Sequence, residues 1–199
     1  LMLGVIAYKA NGLANRQNKL VELQNNPRFE FSTNLIYDEK TKKYVKETMR
    51  IRNVNPNGFI VEKDFKDSVY VEVKINGKTI CDIQLIDYYI IKTGRIQSTH
   101  GKLLIPDLDN NAIIADLSRS INKYTKENKM VEITLKRYVY VEYENLYRDI
   151  RKEYYEVNSL GGHLMGNLEG EDKFIIGENC KSLSELIPFI HRIVEKIED

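Results

Sequence analysis

The chain has no surplus of charge of either sign: 30 lysines and arginines stand against 29 aspartates and glutamates, a formal net charge of +1. Nucleic acids are bound through a cationic face, and the bulk charge supplies none, so no nucleic-acid partner is expected. Cysteine is nearly absent. Cys81 and Cys180 are the two that occur, without the Cys-x-x-Cys spacing of a zinc site or the density of a secreted disulfide scaffold. Two free thiols and one bridge both remain open. Histidine is limited to His100, His163 and His191, with no His-x-x-x-His pair, so no metal is expected. No apolar run reaches the ~20 residues that cross a hydrocarbon core, and no low-complexity tract argues for disorder. What is present is 199 residues, 42% hydrophobic and 30% charged, the profile of a folded chain able to bury one core.

The first residues carry the most information. Leu1-Met2-Leu3-Gly4-Val5-Ile6-Ala7-Tyr8 is an uncharged apolar run. It reads as the last two turns of a transmembrane helix whose remainder would lie upstream, with Tyr8 and Lys9 at the interface. Leu13, Leu20 and Leu23 then recur among Asn15, Arg16, Gln17, Lys19 and Glu22, so the helix is expected to continue as a stalk until Asn25-Asn26-Pro27 ends it. The competing reading is an ordinary amphipathic helix packed on the domain. Lys9, Arg16 and Lys19 precede the first acid, Glu22, which leans the domain towards the cytoplasmic side of the membrane. No Asn-x-Ser/Thr acceptor occurs, in keeping with that side.

Three segments share a pattern with a known group: Ala14-Asn15-Arg16-Gln17-Asn18-Lys19-Leu20, then Gln24-Asn25-Asn26-Pro27-Arg28-Phe29-Glu30-Phe31, then Ile51-Arg52-Asn53 followed by Asn57-Gly58. Together they resemble uncharacterised bacterial single-pass membrane proteins. In that group a helix and short stalk lead through a Pro-x-Phe strand into a β-sandwich with an Ile-x-Asn-x-Gly turn. The resemblance covers the first third of the chain, and Val54-Asn55-Pro56 lengthens the turn relative to the pattern. It implies an architecture and a membrane location, and no activity.

From Pro27 the apolar period is two. Phe29 and Phe31 lead through Tyr37 to the polar turn Asp38-Glu39-Lys40-Thr41, and Val45, Met49 and Ile51 line the return strand. Val69, Val71, Val73 and Ile75 run into Asn76-Gly77, the strongest short hairpin signal, and re-emerge at Ile80, Ile83 and Leu85. Val131, Ile133, Leu135, Val139, Val141 and Tyr143 form a long late strand, with Lys136-Arg137 marking a bulge or an edge. Asp149 to Val157 should pair back onto it. Ile113, Leu117, Ile121 and Tyr124 share one face of a helix capped by Asp109-Asn110. Leu186, Ile190, Val194 and Ile197 stripe a C-terminal helix that opens on the capping box Ser182-Leu183-Ser184-Glu185. Pro188 favours Ser184 as its cap. The predicted fold is mainly β (α+β): an antiparallel two-sheet sandwich with an N-terminal stalk helix and two peripheral helices. Residues 1–26 are the end of the anchor and the stalk. Residues 27–199 are the sandwich domain, with helices near 110–127 and 183–198.

Chemistry is sparsely marked. Pro106 to Asn111 resembles a calcium loop without its turn glycine or closing glutamate, and a helix cap explains it. Gly161-Gly162 and Gly166 form neither a P-loop nor a dinucleotide fingerprint, so no small-molecule cofactor is expected. His163, in a glycine-rich loop, could act as acid or base where the glycines let a ligand approach, against the plainer reading of an exposed loop histidine. Tyr138 and Tyr140 share the face opposite the valines, and beside Arg137 and Arg151 they would make a protein-binding face. Tyrosine is also a good strand former, which is the competing account. The candidate binding residues are thus Arg137, Tyr138, Tyr140 and His163, with no catalytic residue assigned. The leading expectation is a membrane-tethered, non-enzymatic module that binds a protein partner or itself. The alternatives are a hydrolase or transferase using His163 with a nearby carboxylate, and, by analogy alone, a membrane-associated stress or phage-defence component.

Overall fold

Period-two alternation builds two sheets that face each other across one apolar core, and the described structure is mainly β. The computed structural model describes residues 2–86, 88–96, 101–106, 110–124, 130–176 and 180–196. The smaller sheet has the order β1 (Phe29–Asp38), β2 (Lys43–Asn53), β6 (Lys102–Pro106), β5 (Tyr89–Thr93). The larger runs β10 (Cys180–Lys181), β4 (Lys78–Leu85), β3 (Val61–Ile75), β7 (Val131–Glu144), β8 (Ile150–Asn158), β9 (Gly161–Leu164). Every strand pair is antiparallel except β10, which lies parallel to β4 over its two residues. The mainly β, two-sheet reading of the sequence therefore holds.

The hairpins form where the turn residues demand them. Asp38 accepts from the Lys40 amide and the Thr41 hydroxyl, each at 2.9 Å, and fixes the β1–β2 turn. Asn76 and Gly77 take φ of 51° and 78°, as a type I′ turn requires. Lys136 and Arg137 carry no bulge: both pair with β3, and β8 pairs with β7 only from Arg137 onward, so the pair marks the point where β7 stops being an edge strand. The register shifts fall instead at Ile36/Tyr37, Glu62/Asp64, Val73/Lys74 and Ile91/Thr93.

Phe31, Met49, Ile51 and Leu104 from the small sheet meet Val69, Val71, Val139, Val141 and Tyr143 from the large one. Two helices complete this core. α2 (Asn110–Tyr124) lies against β2 and β7 and buries Ile114, Leu117 and Ile121. α4 (Leu183–Lys196) buries Leu186 and Ile190 fully. Its cap is Ser182, two residues earlier than Pro188 suggested: the Glu185 carboxylate accepts from the Ser182 amide at 2.9 Å, closing the capping box. Pro188 then sits inside the helix. Asp109, residues 125–127, Ile197 and residues 107–109 of the calcium-like loop lie outside the described residues.

The stretch expected to be loop is structured. Gly161–Leu164 is β9, the edge of the larger sheet, and Asn167–Asp172 is a short helix, α3. The described residues thus hold four helices where three were expected. Gly162 explains why this was hidden: a Cβ there would lie 2.1 Å from the Phe31 ring, so β9 can approach β1 only without a side chain.

α1 (Met2–Asn25) ends where Pro27 requires. Its residues 10–20 are exposed all round, with Leu13 at 63% and Leu20 at 58%. The base is held by a knot of asparagines. Asn53 accepts from the Arg28 amide at 2.9 Å and donates to the Gly58 carbonyl at 2.7 Å, while Asn55 donates to the Gln24 and Asn26 carbonyls. Arg151 adds an ion pair to Glu22 at 2.8 Å. Among the described residues no helix is long and apolar enough to cross a membrane.

Candidate functional site

Strand β7 sends alternate side chains to opposite sides of the larger sheet, and the predicted site divides along that line. Arg137 shares the inner face with Val139 and Val141. Its guanidinium grips Glu47 of β2 with two bonds, Nε to Oε1 at 2.9 Å and Nη2 to Oε2 at 2.6 Å. The Tyr89 hydroxyl donates to the same Glu47 oxygen and accepts from Arg137 Nε at 3.0 Å. Glu47 is 2% exposed. This is a bidentate clamp joining the two sheets inside the core. Burial, reinforced by the Glu47 charge, pushes the Tyr88 and Tyr89 phenols well above their ordinary value. Burial alone would lower the Arg137 guanidinium, but its bonds to Glu47 outweigh that and raise it. Arg137 is therefore a structural cation, facing away from the tyrosines with which the sequence grouped it.

Lys102 and Glu62 form a second buried pair between the sheets, with side chains 7% and 11% exposed. Glu62 also accepts from the Ile96 amide at 2.6 Å, and the Lys102 ammonium lies 4.2 Å from the centre of the Phe65 ring.

Tyr138 and Tyr140 lie on the outer face, as the alternation requires, but they are 5% and 6% exposed. The expected open aromatic surface is covered. Residues 167–176, α3 and the turn after it, run over it as a strap. Tyr70 of β3 joins Tyr138 edge-to-face at 5.7 Å, and Tyr154 of β8 lies 5.0 Å from Tyr140, so the face holds four tyrosines from three adjacent strands. The strap touches each of them. Lys173 stands over Tyr70 and Tyr138, Phe174 lies against Tyr140 and Tyr154, and the Tyr70 hydroxyl donates to the Lys173 carbonyl at 3.0 Å. A Cβ on Gly170 would meet the Tyr154 ring at 2.2 Å, which fixes glycine where the strap crosses it. Three apolar side chains of the strap stand in solvent, Leu168 at 83%, Ile175 at 63% and Ile176 at 77% exposed, beside the exposed acids Glu169, Glu171 and Asp172. Beside Phe174 and Ile176 a cavity of 230 Å³ opens over Ser68 and Gln84.

His163 also projects on this outer face, where the β8–β9 register sets it opposite Glu156, which in turn faces Tyr138 across β7. It is exposed on an edge strand, not in a loop. Gly162, just before it, seats β9 against the Phe31 ring. His100 lies outside the described residues. Cys81 and Cys180 are not joined in a disulfide. Among the described residues no three His, Cys, Asp or Glu side chains converge as a metal site.

The sequence put Tyr138 and Tyr140 on one face and did not show what covers them. Tyr70 and Tyr154 were legible as outward residues by parity. Lys173, Phe174 and Gly170 carried no signal, because a strap is defined by what lies beneath it. Comparison with known proteins finds no matching family model, no matching curated protein and no matching solved structure.

Proposed function

We propose that this chain is a non-enzymatic protein-interaction module, held at a membrane by the apolar end of α1 and presenting its sandwich domain through the stalk. The observation that carries this reading is the strapped outer face of the larger sheet. Four tyrosines lie under a ten-residue strap whose own Leu168, Ile175 and Ile176 stand in solvent. Exposed apolar side chains gathered over an aromatic floor mark a contact surface more often than a catalytic one. The buried charges, meanwhile, are committed to holding the sheets together.

The membrane end of the reading rests on the uncharged stretch Met2–Tyr8 followed by Lys9, Arg16 and Lys19. The resemblance to single-pass membrane proteins points the same way. The positive flank favours a domain on the cytoplasmic side.

The test is in-cell crosslinking of the full-length protein, compared with a chain carrying Leu168→Ser, Ile175→Ser and Ile176→Ser. These side chains are exposed, so the fold should survive. A defined crosslinked partner lost in the variant supports the module; crosslinks unchanged by it would sink the reading. Membrane attachment is tested separately by flotation, where Val5→Lys with Ile6→Lys should release the chain.

A second reading, His163 as acid or base, draws on Glu156 standing opposite it. Any hydrolytic or transfer activity in the purified chain would have to fall with His163→Gln.

A further inference from the structure

Two consecutive side chains make the strap's main contacts with the tyrosine face. The Lys173 ammonium lies 5.5 Å from the centre of the Tyr138 ring and 6.0 Å from that of Tyr70. Phe174 places its ring 6.0 Å from Tyr140 and 5.9 Å from Tyr154. The face therefore offers a pair of rings to a cation and, one residue along, a pair of rings to an aromatic group. Around Tyr140 the charge is mixed, with Glu142 and Asp64 offset by Lys66, whose ammonium lies 5.6 Å from the ring centre, whereas Glu156, Asp82 and Glu169 act on Tyr138. The charge at Tyr138 complements a basic side chain and disfavours an acidic one.

The strap fills this surface incompletely and is held lightly. Next to Phe174 the 230 Å³ cavity remains over Ser68 and Gln84. There Gln84 Nε2 donates to Ser68 Oγ at 2.9 Å, while the buried Gln84 Oε1 has no partner among the described residues. α3 is six residues long and has no side-chain N-cap. Among the described residues, polar anchorage of the strap to the tyrosine face includes the Tyr70 bond to the Lys173 carbonyl and a 3.4 Å contact from the Tyr154 hydroxyl to Glu171. Its exposed Leu168, Ile175 and Ile176 are better covered in a complex than in solvent.

We propose that Lys173 and Phe174 are an internal stand-in for a partner, and that the tyrosine face binds a protein segment in which lysine or arginine is followed by an aromatic residue. This rests on the interaction-module reading and gives it a ligand class. The partner's cation takes the place over Tyr70 and Tyr138, its aromatic ring takes the place of Phe174, and the next residue enters the cavity above Ser68 and Gln84. The strap lifts as it binds.

The experiment uses a labelled synthetic peptide of residues 167–176 and a second peptide with Lys173→Ser, titrated by fluorescence anisotropy. The receptors are the full chain, and the full chain with Lys173→Ser and Phe174→Ser, which vacates the face. The vacated chain should bind the first peptide about tenfold more tightly than the wild-type chain, and the Lys173→Ser peptide should lose about tenfold, the scale of one well-desolvated cation–ring contact. Adding Tyr138→Leu to the vacated chain should remove the binding. Equal binding by wild-type and vacated chains, or indifference to the lysine, overturns the proposal. Should the vacated chain fail to fold, Gly170→Ala, which displaces the strap from Tyr154, serves as receptor under the same criteria. A crosslinked partner sensitive to Leu168, Ile175 and Ile176, together with a peptide indifferent to the face, would remove this inference and leave the module reading standing.

Discussion

Arg137 and Tyr138 are neighbours in sequence and lie on opposite sides of one sheet, and the two sides are built by different physics. The inner side is closed by charge: Glu47, Arg137 and Tyr89 lock β2, β7 and β5 together where water is excluded. The outer side is closed by rings and a short strap, with one well-formed hydrogen bond and cations lying over aromatic faces. Opening the inner side strands a buried charge, whereas opening the outer side exposes rings that water tolerates at moderate cost. A molecule made this way keeps its sandwich intact while one face is free to change its cover.

The largest effect should come from breaking the inner clamp on one side only. Glu47→Ala leaves the Arg137 guanidinium buried without its carboxylate and is expected to cost about 3–5 kcal/mol of stability in denaturant titration. The paired replacement Glu47→Met with Arg137→Met removes both charges and should recover most of that loss. Recovery would show that the pair specifies the arrangement of the sheets more than it stabilises them.

A smaller effect is expected where the two sheets meet at β1 and β9. Gly162→Ala forces a Cβ into the Phe31 ring, and overpacking of this kind costs about 1–3 kcal/mol. The loss should appear in thermal unfolding together with early amide exchange in β9, while the Glu47 clamp stays protected. Simultaneous exchange throughout both sheets would mean the edge and the clamp are one cooperative unit.

The smallest effect belongs to the outer face and depends on pH. Burial raises the Glu72 carboxyl, but bonds from Lys136, Lys74 and Thr79 outweigh it and hold the group at about 2, below its usual 4.5. A depressed carboxyl contributes stability that is present above the unfolded value and is lost as pH falls through the folded one. The wild-type chain should therefore lose a margin over Glu72→Gln as pH falls from about 4.5 towards 2. Parallel pH profiles for the two chains would show that the lysines contribute nothing through this group.

Much of the inner face was legible. Glu47 shares the parity of Met49 and Ile51, and Arg137 that of Val139 and Val141, so the sequence already placed two opposite charges on inward positions. It could not pair them, because their strands lie in different sheets and no periodicity encodes which strand faces which. Ser182-x-x-Glu185 announced its capping box, yet Pro188 pulled the expected cap two residues too late. Gly161-Gly162 read as a loop because glycine is rare inside strands, and the Phe31 ring that requires it is distant in the chain. The outward parity of Tyr138 and Tyr140 was correct and their exposure was not.

What the sequence determined by itself was everything set by neighbours along the chain. Alternation gave the strands, Asn76-Gly77 gave its turn, and Asn26-Pro27 ended the stalk. Only the tertiary structure decided what covers what: that Glu47 meets Arg137, that Asn53 and Asn55 knot the base of α1, and that Lys173 and Phe174 close over four tyrosines. The physical reason is that backbone preference acts over a few residues. Burial is a property of surfaces brought together from distant segments, and a side chain's exposure is fixed only once its cover is in place.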